Sequence, residues 1–120
     1  MFLDPLHVRL LDDLANDGRG EWELTAPMRY RAMTGDIHTI PAGFCTDFAS
    51  VPRLPFVYAL AGDTAHRPAV LHDYLCRAAL VPRRQADDLF HEAMLAVGIQ
   101  QWRADLMHLA VRSYSESLEG

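Results

Sequence analysis

Three short stretches hold the side chains able to do chemistry: Thr46-Asp47, His72-Asp73-Tyr74, and Asp87 with His91. A histidine changes charge near neutral pH and can act as base, acid or metal ligand. His72 and Asp73 are adjacent, so on a helix their directions differ by about 100° and they cannot form one face-to-face pair. Each must meet a different neighbour, and a nearby carboxylate would orient the second nitrogen of His72. On this reading His72 and Asp73 are the catalytic pair. The structural alternative is a packed histidine beside an aspartate in a first helical turn. Asp87 and His91 are four apart and share a helical face, a spacing that suits two ligands of one metal or an ordinary ion pair. Asp87 and Asp88 also sit where negative charge matches the exposed N–H groups of a helix start.

Asp47 owes its interest to its setting. It lies in Pro41-Ala-Gly-Phe-Cys-Thr-Asp-Phe-Ala-Ser-Val-Pro-Arg53, and prolines at 41, 52 and 55 restrict the backbone around it. Asp47 can staple this loop through backbone N–H groups. It can instead join His72, Asp73 and Asp87 around a divalent metal that activates water. The expected metal set is Asp47, His72, Asp87 and His91. Carboxylates favour magnesium, manganese or calcium, while two imidazoles move the preference toward zinc or iron, so the identity of the metal is open. Arg53 or Arg112 would balance a buried Asp47 or Asp73, and the constellation would then be a structural ion network. Tyr74 could donate a hydrogen bond near the His-Asp pair or simply pack. Cys76 lies four residues after His72, but a cysteine on an apolar helix is ordinarily buried and inert. His7, His38, His66 and His108 show no partner arrangement. Metalloprotease spacing, a phosphate loop, Cys-x-x-Cys and the dinucleotide glycine fingerprint are all missing.

The elements that must position these groups form an α+β pattern: a small N-terminal antiparallel sheet, the motif loop, and a C-terminal three-helix subdomain. Residues 6 to 14 read as a short helix or irregular packed arm, ended by the glycines at 18 and 20. Glu21 to Leu24, Met28 to Ala32 and Ile37 to Ile40 alternate or are β-branched and read as strands. The turns between them are too short for helical crossovers. Helices are expected over about 68–80, 83–97 and 102–113. The first has Leu71, Leu75, Ala78 and Ala79 to pack. The second buries Ala86, Phe90, Ala93 and Val97 and stops at Gly98. The third has Trp102, Leu106, Leu109, Ala110 and Ser113 near one face. Trp22, Trp102 and Phe90 read as core, residues 56–60 as a turn of helix, and the tail 115–120 as frayed.

The 120 residues suit one domain, 1–120, with one core. Two cysteines make no disulfide framework, and free thiols are expected. The net charge is −5 and every basic residue is arginine, with no concentrated basic patch, so nucleic acid is not an expected partner. No apolar run is long enough for a membrane span, and the acidic N-terminus does not read as a secretory signal.

The motif loop, then His72-Asp-Tyr-Leu75, then Ala86-Asp87 with Phe90 and Ala93-Met94, resembles the phage- and prophage-associated domain-of-unknown-function family numbered 1353. Val111-Arg112 is similar to that family's closing helix, and the resemblance spans about residues 21–113. It implies Thr46, Asp47, Arg53, His72, Asp73 and Asp87 as signature positions, with no comparable support for His91 or the cysteines. His72-Asp73-Tyr74 is also similar to the His-Asp motif of secreted phospholipases, whose calcium loop and disulfides this chain lacks. Two functions follow as expectations. One is a small phage-related hydrolase with a His-Asp centre and a possible divalent metal, acting on an ester or amide such as a cell-wall peptide. The other is a non-enzymatic virion or tail-assembly protein, partnered by a phage tail protein, whose polar signature is a structural network. Either places the chain in the host cytoplasm or on the virion, and neither fixes an oligomeric state.

Overall fold

The computed structural model describes residues 1–18, 20–47 and 65–119. Strands β1 (Val8–Asp12), β2 (Glu21–Leu24), β3 (Met28–Arg31), β4 (Ile37–Ile40) and β5 (Cys45–Thr46) precede helices α1 (His66–Ala78), α2 (Arg83–Ala96) and α3 (Gln101–Glu119). The α+β class and the antiparallel pairing agree with the sequence pattern. The strands divide into two sheets, β1-β2-β5 and β3-β4, all antiparallel. Arg53 and residues 56–60 lie outside the described residues.

The β3-β4 ribbon shows why alternation specifies a face. Met28 and Tyr30 are buried, while Arg29 and Arg31 point outward. A one-residue slip would put both arginines into the core, so the register Met28↔Ile40, Tyr30↔His38 is strongly specified. The N-terminal arm runs along the free edge of β3, with Leu3 N–H donating to Arg29 and Arg31 N–H to Met1. Asp4 accepts from the Arg29 guanidinium through both oxygens, at 2.8 and 3.0 Å, and fixes the arm.

Residues 8–12 form a strand, which corrects the expected helix or irregular arm. The apolar residues of this segment fit either period, and β2 settles the matter by pairing Val8 with Leu24 and Leu10 with Trp22. Gly20 makes that pairing possible. It sits at φ +89°, and an added Cβ would lie 2.9 Å from Trp22 Nε1 and 3.1 Å from Leu10 Cδ1. Gly20→Ala should therefore cost about 1–2 kcal/mol by urea denaturation. An unchanged midpoint would refute the close approach.

The helices pack through faces that the sequence located only in part. In α1 the buried set is Pro68, Ala69, Val70, Leu71, His72 and Leu75. Ala78 and Ala79 are exposed instead, because the helix ends there with Ala79 left-handed at φ 53°. In α2 the buried set is Ala86, Asp87, Leu89, Phe90, Ala93 and Met94, and Gly98 at φ +91° ends the turn, with Ile99 N–H returning to Met94. In α3 the inward face is Ala104, Met107, Val111 and Ser115, so Trp102, Leu106 and Leu109 are exposed, against expectation. This helix continues to Glu119 rather than fraying after Tyr114, and Ser115 is one of its buried anchors.

Two clusters result. Leu24, Met28, Tyr30, Ala32 and Ile40 of the strands meet Val70, Leu71, Leu75, Ala86, Leu89 and Ala93. Phe90, Met94 and Ile99 meet Ala104, Met107 and Val111. Trp22 is only half-buried.

Candidate functional site

The α1-α2 hairpin brings His72 against Asp87. The connection from Ala79 to Pro82 is short, so the two helices return side by side. His72 and Asp87 stand at similar distances from that turn and both face inward. His72 Nε2 lies 2.6 Å from Asp87 Oδ1. The other carboxylate oxygen accepts from Arg112 Nη1 at 2.9 Å, a contact contributed by α3. Ser115 also hydrogen-bonds Asp87 and is itself held by Arg83 Nε at 3.1 Å. The imidazole stacks on Phe90, with ring centres 4.8 Å apart. His72 is 2% exposed and Asp87 0%. All three helices thus converge on one buried carboxylate.

The charges are mutually dependent. Burial opposes a charge on His72, but the Asp87 hydrogen bond and the Cys76 contact outweigh it and raise the imidazole to about 9. For Asp87 burial pushes upward, and His72, Ser115 and Arg112 together hold it below the ordinary carboxylate range. These are two views of one ion pair, whose protons belong to the pair. His72 Nδ1 is buried and has no hydrogen-bond partner among the described residues. A buried polar atom left so costs about 1–3 kcal/mol and calls for an explanation in a role, a water or a ligand.

Cys76 Sγ approaches the same Nε2 at 3.5 Å. His72, Cys76 and Asp87 are the one group of three or more metal-ligand side chains, among the described residues, whose atoms lie within 4.8 Å of one another. The spacing argues against a metal between them. Two ligands at ~2 Å from a tetrahedral ion stand about 3.3 Å apart, whereas nitrogen and oxygen here are separated by 2.6 Å. A shared proton fits that gap, and Arg112 holds the remaining oxygen.

Asp73, rotated from His72 along α1, faces a different place. It lines a cavity of about 320 Å³ with Asn16, Glu21, Thr46, Asp47 and Arg77. Burial raises the Asp73 carboxyl. The Thr46 hydrogen bond and Arg77 lower it, the Asp47 charge raises it, and the net result lies above the ordinary carboxylate value. Arg77, 3.5 Å from Asp73, is anchored by donating to the Cys45 carbonyl at 2.6 Å and by lying over Phe44. Strand β5 supplies Thr46 and leads into Asp47, and it is pinned to β2 by Trp22↔Thr46 pairing. Tyr74 contacts Phe44 edge-on and reads as packing.

The structure therefore separates the expected set. His72, Asp87 and Arg112 come together in the core, and Thr46, Asp47 and Asp73 come together at the cavity. His91 does not share a point with Asp87, despite their spacing. Its Nε2 lies 2.7 Å from Asp105 on α3, in a second cavity. Inward rotation takes Asp87 into the core, and His91, one turn later, diverges toward α3. Sequence reasoning missed Ser115, Asp105, Asp88 and His108 as partners. The Asp-x-x-His spacing present in both α2 and α3 was the available signal.

An α+β protein with three helices tied to one buried aspartate, and an acidic cavity beside the loop strand, is the class these features define. The family described as protein of unknown function, DUF1353, matches residues 22–111, and the chain belongs to it. An uncharacterised protein of Sinorhizobium fredii, y4iH, is 35% identical over 71 residues, which cover 58% of this chain and 30% of that protein. The match thus spans less than a third of that relative's length. No solved structure matches the chain.

Proposed function

We propose that this chain is a hydrolase in which His72 is the general base and Asp87 its orienting carboxylate. The observation that carries the reading is the buried imidazole with Nε2 locked on Asp87 and Nδ1 unpaired. A carboxylate on one ring nitrogen fixes tautomer and orientation and leaves the other for proton transfer. A water at Nδ1 would give its proton to the ring as its oxygen attacks an ester or amide carbonyl. The ring would then return that proton to the leaving group.

The cavity carboxylates are assigned a separate role. Glu21, Asp47 and Asp73 with the Thr46 hydroxyl make an oxygen-rich lining, which suits a hard cation such as calcium, magnesium or manganese. Such an ion would hold a substrate oxygen at this cavity, apart from His72. Its ligands here are Asp47 and Asp73, and His91 has no part in it. The family resemblance supports a phage or prophage setting, with a cell-wall peptide or ester as the substrate class.

The test is hydrolysis of nitrophenyl esters and short peptides by the purified full chain, with and without each cation. His72→Asn should lower kcat/KM by roughly 10²-fold or more. Asp73→Asn, at a position outside the core, should remove the cation dependence in a protein that still folds. Equal activity in wild type and His72→Asn, or no cation-dependent step lost in Asp73→Asn, would overturn the assignment.

One observation favours a second reading, a non-enzymatic phage tail or virion-assembly protein. His72 and Asp87 are almost wholly sealed, and both Asp87 oxygens are occupied. In that case the network serves to hold three helices in one arrangement. Hydrolytic inactivity together with co-purification in tail complexes would select it.

A further inference from the structure

A second constellation lies between α2 and α3, in a cavity of about 510 Å³ that Arg112, the partner of Asp87, also borders. Helix α2 carries Asp88 and His91, and helix α3 carries Asp105 and His108, each pair three residues apart. Such pairs share a helical face. They interact crosswise: His91 Nε2 meets Asp105 Oδ1 at 2.7 Å, and His108 Nε2 meets Asp88 Oδ1 at 2.9 Å. The two imidazole centres are 4.8 Å apart.

We propose that His91 and His108 form a binding site for a divalent transition-metal ion such as Zn²⁺, independent of the hydrolytic centre. Three observations point the same way. First, each Nε2 is already engaged by a carboxylate, and neither Nδ1 makes a hydrogen bond among the described residues. A metal-bound histidine ordinarily hands its other ring N–H to a carboxylate, which fixes the ring and makes it a stronger ligand. Both supporting carboxylates are in place before any metal arrives.

Second, the separation of the ring centres is compatible with a shared ion. With a metal–nitrogen distance of ~2 Å and a tetrahedral angle, two coordinated imidazole rings have centres about 5 Å apart. This contrasts with the 2.6 Å contact of His72 and Asp87, which is too short to admit an ion. Third, the rings are reachable. Their side chains are 26% and 30% exposed and border an open cavity, so water can complete the coordination sphere. Neutral imidazole suits zinc, copper and nickel better than calcium or magnesium. The two proposed sites differ in donor set: carboxylates and a hydroxyl near Asp47, and two imidazoles backed by Asp88 and Asp105 near His91, where Glu116, Arg84 and Arg112 also line the cavity.

Titration of the tag-free, reduced full chain with Zn²⁺ by calorimetry tests this. One equivalent should bind with micromolar affinity. His91→Ala and His108→Ala should each weaken it at least tenfold, and the double variant should abolish it. Asp88→Asn with Asp105→Asn should weaken it about tenfold or more by loosening the rings. Asp47→Asn should leave it unchanged, which separates this site from the proposed calcium or magnesium site. Substituted Co²⁺ should give a visible spectrum without thiolate charge transfer. Zn²⁺ affinity undiminished in the His91/His108 double variant, or no binding by the wild type at millimolar metal, would overturn the proposal.

Discussion

Asp87→Ala is expected to destabilise this protein by about 3–5 kcal/mol, the scale for breaking a buried pair by removing one partner. The carboxylate is fully buried and is shared by His72, Arg112 and Ser115. Its loss leaves the Arg112 guanidinium, whose side chain is only 12% exposed, and a buried imidazole without their common acceptor. Glu116, 3.4 Å from Arg112 and mostly exposed, is a poor replacement. A domain of this size has roughly 5–15 kcal/mol in total, so the variant should unfold at markedly lower urea. Replacing both partners, Asp87→Leu with Arg112→Met, should cost less than Asp87→Ala alone, since the guanidinium is then removed together with its buried acceptor. A loss below about 1 kcal/mol in Asp87→Ala would show that the network does not hold the helices together.

The second large effect is on pH. His72 has a folded pKa of about 9, above its ordinary value of 6.5. A group raised on folding contributes its stability fully below the unfolded pKa and loses it as pH rises through the folded one. Between about pH 6.5 and 9 the protein should therefore lose on the order of 3 kcal/mol, because a tenfold change in proton affinity corresponds to about 1.4 kcal/mol. His72 is 2% exposed, so solvent screening does little to reduce this. Urea midpoints measured across that window should fall in wild type and stay nearly level in a folded His72→Asn or His72→Gln variant. At the acid end Asp87, held below the ordinary range, loses its contribution as pH falls through its folded pKa. The two losses describe the same pair from opposite sides and do not add. If His72 is the base, the hydrolytic rate should also climb about tenfold per pH unit up to about 9, since only the neutral ring accepts a proton. A flat stability profile between pH 6.5 and 9 would mean that the imidazole is not charged in the folded protein.

Strands β2 and β3 were legible from period-two alternation, which only β3 turns into a strictly buried and exposed face, and β4 from its β-branched residues. The start of α2 after Pro82 and the Gly98 stop followed from local backbone rules, whereas α1 begins at His66, two residues before its expected start. Strand β1 was not legible, because its pairing partner lies beyond a turn and its apolar spacing fits two periods. The buried side of α3 was misread because Trp102, Leu106 and Leu109 are more apolar than Ala104 and Ser115. The buried face instead mixes small and large residues, Ala104, Met107, Val111 and Ser115. Hydrophobicity alone therefore pointed to the wrong stripe.

By itself the sequence determined the α+β class, the antiparallel strands, the family and the residue types able to react. It also determined that His72 and Asp73 must face different neighbours, since adjacent helical residues diverge by about 100°. Only the tertiary structure decided which neighbours those are. It took Asp87 into the core for His72 and Arg112, left Asp73 to Asp47 and Thr46, and gave His91 to Asp105 and His108. The reason is physical: spacing along a helix fixes direction, while the partner at the end of that direction comes from the packing of other elements.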